Sequence, residues 1–135
     1  MNARTLIALA LAIGVCGCGG TSGYSPVSGQ VVVKGTAAAA LAGHAIEASL
    51  TSDPTVRATG VIGEDGRFAL ETYRDGKYHR GAPPGQYSVR IVVVREGDGR
   101  DRPPPLAKRY QDFNTSGLAL QVPTSGDVTL EVAPK

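Results

Sequence analysis

The chain has 135 residues, and its 14 Lys and Arg residues nearly balance its 12 Asp and Glu residues. This balance argues against nucleic acid as a partner, which would require a concentrated basic face. The two cysteines, Cys16 and Cys18, both lie near the N-terminus, so the remainder of the chain can form no internal disulfide.

The N-terminal segment has the character of a secretory signal. Arg4 provides a short basic region, and the apolar run of residues 6–15 has signal-peptide length. That run is too short to span a bilayer as a helix. It is followed by small residues and the two cysteines, which end the segment.

The residues around Cys18 resemble a bacterial lipobox, with Gly17 directly before the cysteine and Val15 three places upstream. The resemblance implies cleavage before Cys18, which would make residues 1–17 a lipoprotein signal peptide and Cys18 the acylated first residue. Cys16 fits the pattern less well, because Val15 would then occupy the cleavage position. An ordinary cleaved signal peptide, or an uncleaved anchor with an unmodified Cys18 thiol, remains the alternative.

Residues 18–26 are expected to form a flexible tether, because the stretch from Thr21 to Pro26 is short and polar. Residues 27–135 are then long enough for one domain with its own core. No later segment is long and apolar enough to cross a membrane as a helix.

Seven short segments in this domain are predicted to be strands, and six of them alternate apolar and polar residues, which is typical of half-buried strands. The third segment is interrupted by Gly60. Turn-forming residues separate the segments, and no amphipathic helix is predicted. We expect loops at 73–80, at the charged and proline-rich stretch 96–105, and at 106–116, where Tyr110 and Phe113 would anchor on the core. The predicted strands are residues 27–34, 45–51, 56–62, 67–72, 86–95, 118–122 and 127–132.

This pattern predicts an all-β fold, a seven-stranded antiparallel β-sandwich. Odd-even parity places five large apolar side chains in its core. Tyr87 follows Gly85 in the manner of a tyrosine corner, in which the hydroxyl bonds a nearby backbone group. The expected core residues are Phe68, Val89, Ile91, Leu120 and Leu130.

Several segments in this order resemble the transthyretin-like, carboxypeptidase-regulatory-like domain. They are Ser28–Val31, Leu41–Gly43, Glu64–Leu70 and Pro84–Val89, and residues 108–118 are similar to a closing motif of small planctomycete-type lipoproteins. The resemblance implies a Greek-key sandwich of the transthyretin (prealbumin) type that serves as an accessory or structural module. The family's usual turn proline is missing near Leu41, and residues 36–40 look like an insertion.

The sequence offers no catalytic or metal-binding motif. His44 and His79 lie in separate polar turns, outside any zinc-ligand spacing, and we expect both to be solvated. Ser116 and Ser125 are interpreted as turn residues, because neither lies in a nucleophile motif. One hydrolase uses a transthyretin fold, but its C-terminal Tyr-Arg-Gly-Ser tetrapeptide is absent. We therefore expect no catalytic residue, metal or cofactor.

The sequence favours a non-catalytic, lipid-anchored module of the cell envelope, facing the periplasm or the exterior, with a structural or protein-interaction role. Its partners would be the membrane, through Cys18, and an envelope protein or glycan. A carbohydrate- or polymer-binding module is the alternative, because tyrosine rings can stack on sugar faces. Its candidate contacts are Tyr73, Tyr78 and Tyr110. A small hydrolase is the third possibility.

Overall fold

The computed structural model describes residues 23–95 and 104–135. The predicted signal peptide and Cys18 lie outside the described residues, as do residues 96–103 of the charged stretch 96–105. The described part is all-β, with nine strands and two short 3-10 helices, Ala38–Leu41 and Lys108–Gln111. The strands are β1 (Ser28–Val33), β2 (Ala45–Leu50), β3 (Asp53–Val61), β4 (Arg67–Ala69), β5 (Glu71–Arg74), β6 (Lys77–Arg80), β7 (Gly85–Val92), β8 (Leu118–Val122) and β9 (Val128–Val132).

The strands form two sheets, one of three strands in the order β4-β1-β9 and one of six in the order β6-β5-β3-β2-β7-β8. All pairs in the larger sheet are antiparallel. In the smaller sheet β1 is antiparallel to β4 but parallel to β9. This parallel pair corrects the expectation of a wholly antiparallel arrangement.

Buried residues from both sheets form one hydrophobic cluster, to which β1 and β9 contribute from the smaller sheet and β2, β7 and β8 from the larger. Alternation along each strand explains this, because successive side chains point to opposite faces. In β7, Tyr87, Val89 and Ile91 are fully buried, whereas Ser88 and Arg90 are only partly covered. The five expected core residues are buried, which confirms that prediction.

The fourth predicted strand, residues 67–72, is in fact two strands in different sheets. The change of sheet occurs at Leu70, whose N–H donates to the carbonyl of Val27 and whose carbonyl accepts from the N–H of Gly81. The backbone of Ala69 passes close to Gly60, where a Cβ would lie 2.3 Å from the Ala69 carbonyl oxygen. The alternating segment 67–72 therefore contributes one strand to each sheet.

Residues 73–80, expected to form a loop, are mostly strand. Strands β5 and β6 pair in register, with Tyr73 opposite Tyr78, and together form the β5–β6 hairpin. Asp75 and Gly76 connect them with positive φ angles of 53° and 77°. An Asp-Gly pair favours the two-residue hairpin turn that needs such angles. The Asp-Gly pair therefore indicates the structure of this segment correctly, whereas its polar composition wrongly favours a loop.

Candidate functional site

The outer face of the six-stranded sheet carries a cross-strand row of polar side chains. The row is continuous because the register pairs Arg80 with Glu71, Glu71 with Thr59, Thr59 with Glu47, and Glu47 with Arg90. Neighbouring strands lie about 4.8 Å apart, so the row extends over about 19 Å. The row is thus a charged strip across the outer surface of the sheet.

Glu47 is the fourth of the five residues in this row and is only 9% exposed. Its Oε1 accepts a hydrogen bond from Nη1 of Arg57 at 2.8 Å. Its Oε2 accepts from Nε and Nη2 of Arg90 at 2.9 and 2.7 Å. Both oxygens are therefore held by charged donors, and the two arginines exceed the carboxylate by one positive charge.

Phe113 covers this ion cluster from outside. Its ring centroid lies 4.6 Å from Cζ of Arg90 and 5.5 Å from Cζ of Arg57. Guanidinium groups at these distances are attracted to the face of an aromatic ring. Phe113 thus packs on the outer face of the sheet, which corrects its expected position on the hydrophobic core.

Sequence reasoning missed the cluster of Glu47, Arg57, Arg90 and Phe113. Parity alone placed Glu47 and Arg90 on outward-facing positions, but it did not show that β2 lies between β3 and β7. That adjacency is what brings the two arginines to one carboxylate. The only signal in the sequence was the alternation that places Glu47 on the outward face of its strand.

Two of the three predicted ligand-contact tyrosines lie together at the edge of the larger sheet. Tyr73 and Tyr78 face each other across the β5–β6 hairpin, with ring centroids 4.9 Å apart and ring planes tilted by 57°. Both are largely exposed, Tyr73 by 61% and Tyr78 by 70%. Their register places them on the same face as Glu71 and Arg80.

The third, Tyr110, does not join this pair. It lies in the second 3-10 helix, is 3% exposed, and belongs to the core cluster. Its hydroxyl accepts hydrogen bonds from Nη2 of Arg109 and the N–H of Ala133, which together lower the pKa of the phenol. The ring is consequently shielded from solvent. This confirms the prediction that Tyr110 anchors on the core, and the prediction that it contacts a ligand is not supported.

The two histidines are partly buried and each has a partner, which corrects the expectation that both are solvated. His44 directly precedes β2, and His79 lies in β6. The ring of His79 stacks on Tyr24 with centroids 4.3 Å apart and planes only 2° from parallel. Nδ1 of His44 accepts a hydrogen bond from the N–H of Val94 at 3.2 Å. Within residues 23–95 and 104–135, no group of three or more His, Cys, Asp or Glu residues is arranged to hold a metal ion.

The end of the predicted tether contacts the domain. The N–H of Ser25 donates to the carbonyl of Ala82, and the N–H of Ala82 donates to the carbonyl of Ser25, at 2.9 and 3.0 Å. Tyr24 adds its stack on His79. Residues 24–26 are thus attached beside β6, so the chain enters the domain at this edge of the larger sheet.

Two further predictions concern turn residues. The hydroxyl of Tyr87 donates to the carbonyl of Pro83 at 2.8 Å, which confirms the predicted tyrosine corner, and burial raises the pKa of this phenol. Ser116 donates its hydroxyl proton to the carbonyl of Val89 and accepts from the N–H of Leu118. Both side chains therefore have structural hydrogen-bonding roles.

Comparisons with protein-family models, curated proteins and solved structures found no match for this chain. In the described part of the chain, no helix has the length and apolar character needed to cross a membrane. Function must therefore be inferred from the residues and their geometry.

Proposed function

We propose that this protein is a non-catalytic, lipid-anchored module of the bacterial cell envelope that binds another envelope protein or has a structural role. The observation that carries the proposal is the row of polar side chains on the outer face of the six-stranded sheet. There Glu47 has both oxygens bound to guanidinium groups, and charged and aromatic side chains extend to the exposed sheet edge. Protein interfaces commonly combine arginine and tyrosine in this way.

The proposed architecture is a Greek-key β-sandwich of the transthyretin, carboxypeptidase-regulatory type. It is supported by two sheets that share one buried cluster and by the sequence segments that resemble that family. The chain changes sheets after β1, after β3, at Leu70 and after β8. Such exchange between layers is typical of sandwiches rather than of simple meanders.

The proposed anchor is a diacylglyceryl group on Cys18. Each buried CH₂ of an acyl chain contributes about 0.8 kcal/mol, and more than one chain is needed for stable attachment. A diacylglyceryl group meets that requirement. It would hold the domain at a membrane surface, on the periplasmic or exterior side.

The candidate histidines support a non-catalytic role. The ring of His79 is engaged by Tyr24, and His44 accepts a backbone N–H. A hydrolase would need an activated nucleophile within hydrogen-bond reach of a base. A substrate screen showing turnover that is lost in His44→Ala or His79→Ala would favour the hydrolase instead.

Capture from native membranes tests the interaction role, with the lipidated full chain as bait. Thr59→Arg changes an exposed residue in the row on the larger sheet, and Thr129→Arg makes the same change on the smaller sheet. We expect an envelope protein captured by the wild type to be lost with Thr59→Arg and retained with Thr129→Arg. Equal capture by both variants would place the interface elsewhere.

Carbohydrate binding is the second candidate, favoured by the exposed Tyr73 and Tyr78 rings. Because the rings are tilted by 57°, they do not form one flat platform, and Tyr110 lies in the core. Glycan-array binding that disappears in Tyr73→Ala and Tyr78→Ala would support it. The absence of binding to envelope glycans would contradict it.

A further inference from the structure

We infer that the β5–β6 hairpin faces the bilayer and that Tyr73 and Tyr78 contact its interface. The inference rests on the proposed acylation of Cys18. It goes beyond anchoring, because it assigns the domain an orientation and a second membrane contact. Its basis is the attachment of Tyr24 and Ser25 beside β6 and the chemistry of the exposed hairpin.

The covalent length of the tether limits where the domain can lie. Only five residues lie between Cys18 and Tyr24, so the two are six Cα-to-Cα steps apart. At full extension these steps reach about 20 Å. A domain of this size is roughly 35 Å across. The tether therefore cannot pass around the domain, and Tyr24 lies on the part of the domain nearer the membrane.

The stack of Tyr24 on His79 identifies that part of the domain. His79 is part of β6, the edge strand of the larger sheet. The next residue, Tyr78, projects to the opposite face of the hairpin and is the most exposed aromatic residue of the described chain, so the tether and the tyrosines share the edge of the sheet rather than one face. Without this stack and the Ser25–Ala82 hydrogen bonds, the unattached tether would extend to the start of β1, and the orientation of the domain on the membrane would be less restricted. The attachment thus brings the hairpin close to the anchor.

The hairpin has the composition of an interfacial contact. Tyrosine rings combine an apolar body with a polar hydroxyl, and they concentrate at the level of lipid headgroups. Arg74, Lys77 and Arg80 are exposed beside them. These three cations exceed the carboxylates of Glu71 and Asp75 by one charge, which complements an anionic leaflet. Such a contact is weak alone, but the anchor holds it at high local concentration.

Tryptophan fluorescence tests the inference, because the chain contains no tryptophan. Tyr78→Trp places one fluorophore on the hairpin, and Tyr73→Trp provides a second version should the first fail to fold. The matched control is Val32→Trp, on β1 of the smaller sheet, where the native side chain is 38% exposed. Each lipidated full chain is reconstituted into phosphatidylethanolamine–phosphatidylglycerol vesicles, with or without brominated acyl chains.

We expect brominated lipid to quench Tyr78→Trp at least threefold more strongly than Val32→Trp. Adding Lys77→Glu should reduce this quenching in anionic vesicles and have little effect in vesicles without phosphatidylglycerol. Equal quenching of the two tryptophans, in protein that still floats with the vesicles, would overturn the orientation while leaving the anchor intact.

Two other outcomes would also overturn it. A chain that does not float, and whose Cys18 carries no lipid by mass, would remove the anchor and the orientation together. An envelope glycan that shields Tyr78→Trp from acrylamide, where brominated lipid does not quench it, would assign the rings to carbohydrate instead.

Discussion

The carbonyl oxygen of Ser25 lies against Gly81 so closely that a Cβ at Gly81 would stand 2.0 Å from it. Only glycine allows this approach, and its φ of +89° is in the region that glycine favours. The segment before the first strand therefore packs against the domain, and Gly81 and Ala82 form the surface that it contacts.

Gly81→Ala should detach this segment and destabilise the domain by roughly 2–4 kcal/mol, because the new methyl group collides with Ser25 and the positive φ becomes strained. The control is Gly76→Ala, with a φ of +77° and nothing within 4 Å of the added Cβ. It should cost only about 1–2 kcal/mol. Urea unfolding measures both, and equal losses would contradict the contact.

Glu47→Gln should destabilise the domain by about 2–3 kcal/mol, because it leaves the guanidinium groups of Arg57 and Arg90 without their counter-charge in a partly buried site. Glu71→Gln alters an exposed residue of the same row and should change stability by less than about 0.5 kcal/mol. Chemical denaturation compares the two. A similar, small effect of both changes would show that the cluster is not stabilising.

Tyr87→Phe should lower stability by about 1 kcal/mol, because it removes the hydroxyl that donates to the carbonyl of Pro83. Tyr73→Phe, at a largely exposed ring, should have almost no effect. Thermal melting of the two variants separates them. Identical melting temperatures would argue against the tyrosine corner as a stabilising element.

Asp127 should make stability depend on pH in the acid range. The pKa of its carboxyl is lowered by the hydrogen bond from Arg67 and then by the one from Ser28. A lowered folded-state pKa stabilises the fold above the unfolded value of about 3.9. This contribution is lost as pH falls through the folded value.

Asp127→Asn should therefore weaken the domain at pH 7, and its difference from the wild type should shrink as the pH is lowered below about 4. Urea titrations of both proteins from pH 7 to pH 2.5 measure this. A difference that stays constant over the range would contradict the assignment, because it would not follow the ionisation of the carboxyl.

The sequence predicted the buried faces of the strands and most of their positions, because odd-even parity is a local property, but it missed the β5–β6 hairpin. Phe68 and Ile91 are buried for the reason that parity gave. Strand neighbours are not local, so the parallel pairing of β1 with β9 and the change of sheet at Leu70 could not be read from the pattern.

The candidate surface was predictable only in part. Tyr73 and Tyr78 were predicted as candidate ligand contacts in a loop, but their pairing depends on the Asp75-Gly76 hairpin turn. The arginines around Glu47 come from two different strands, and their meeting needs the strand order. Cys18 lies outside the described residues, so its acylation stays a prediction.

The most direct test is the mass of the N-terminal peptide of the native protein recovered from the membrane fraction. The proposal predicts a chain that begins at Cys18 and carries a diacylglyceryl group, with an additional acyl chain on its amine allowed. An N-terminus at any other residue, or an unmodified Cys18 in the membrane-bound protein, would contradict it.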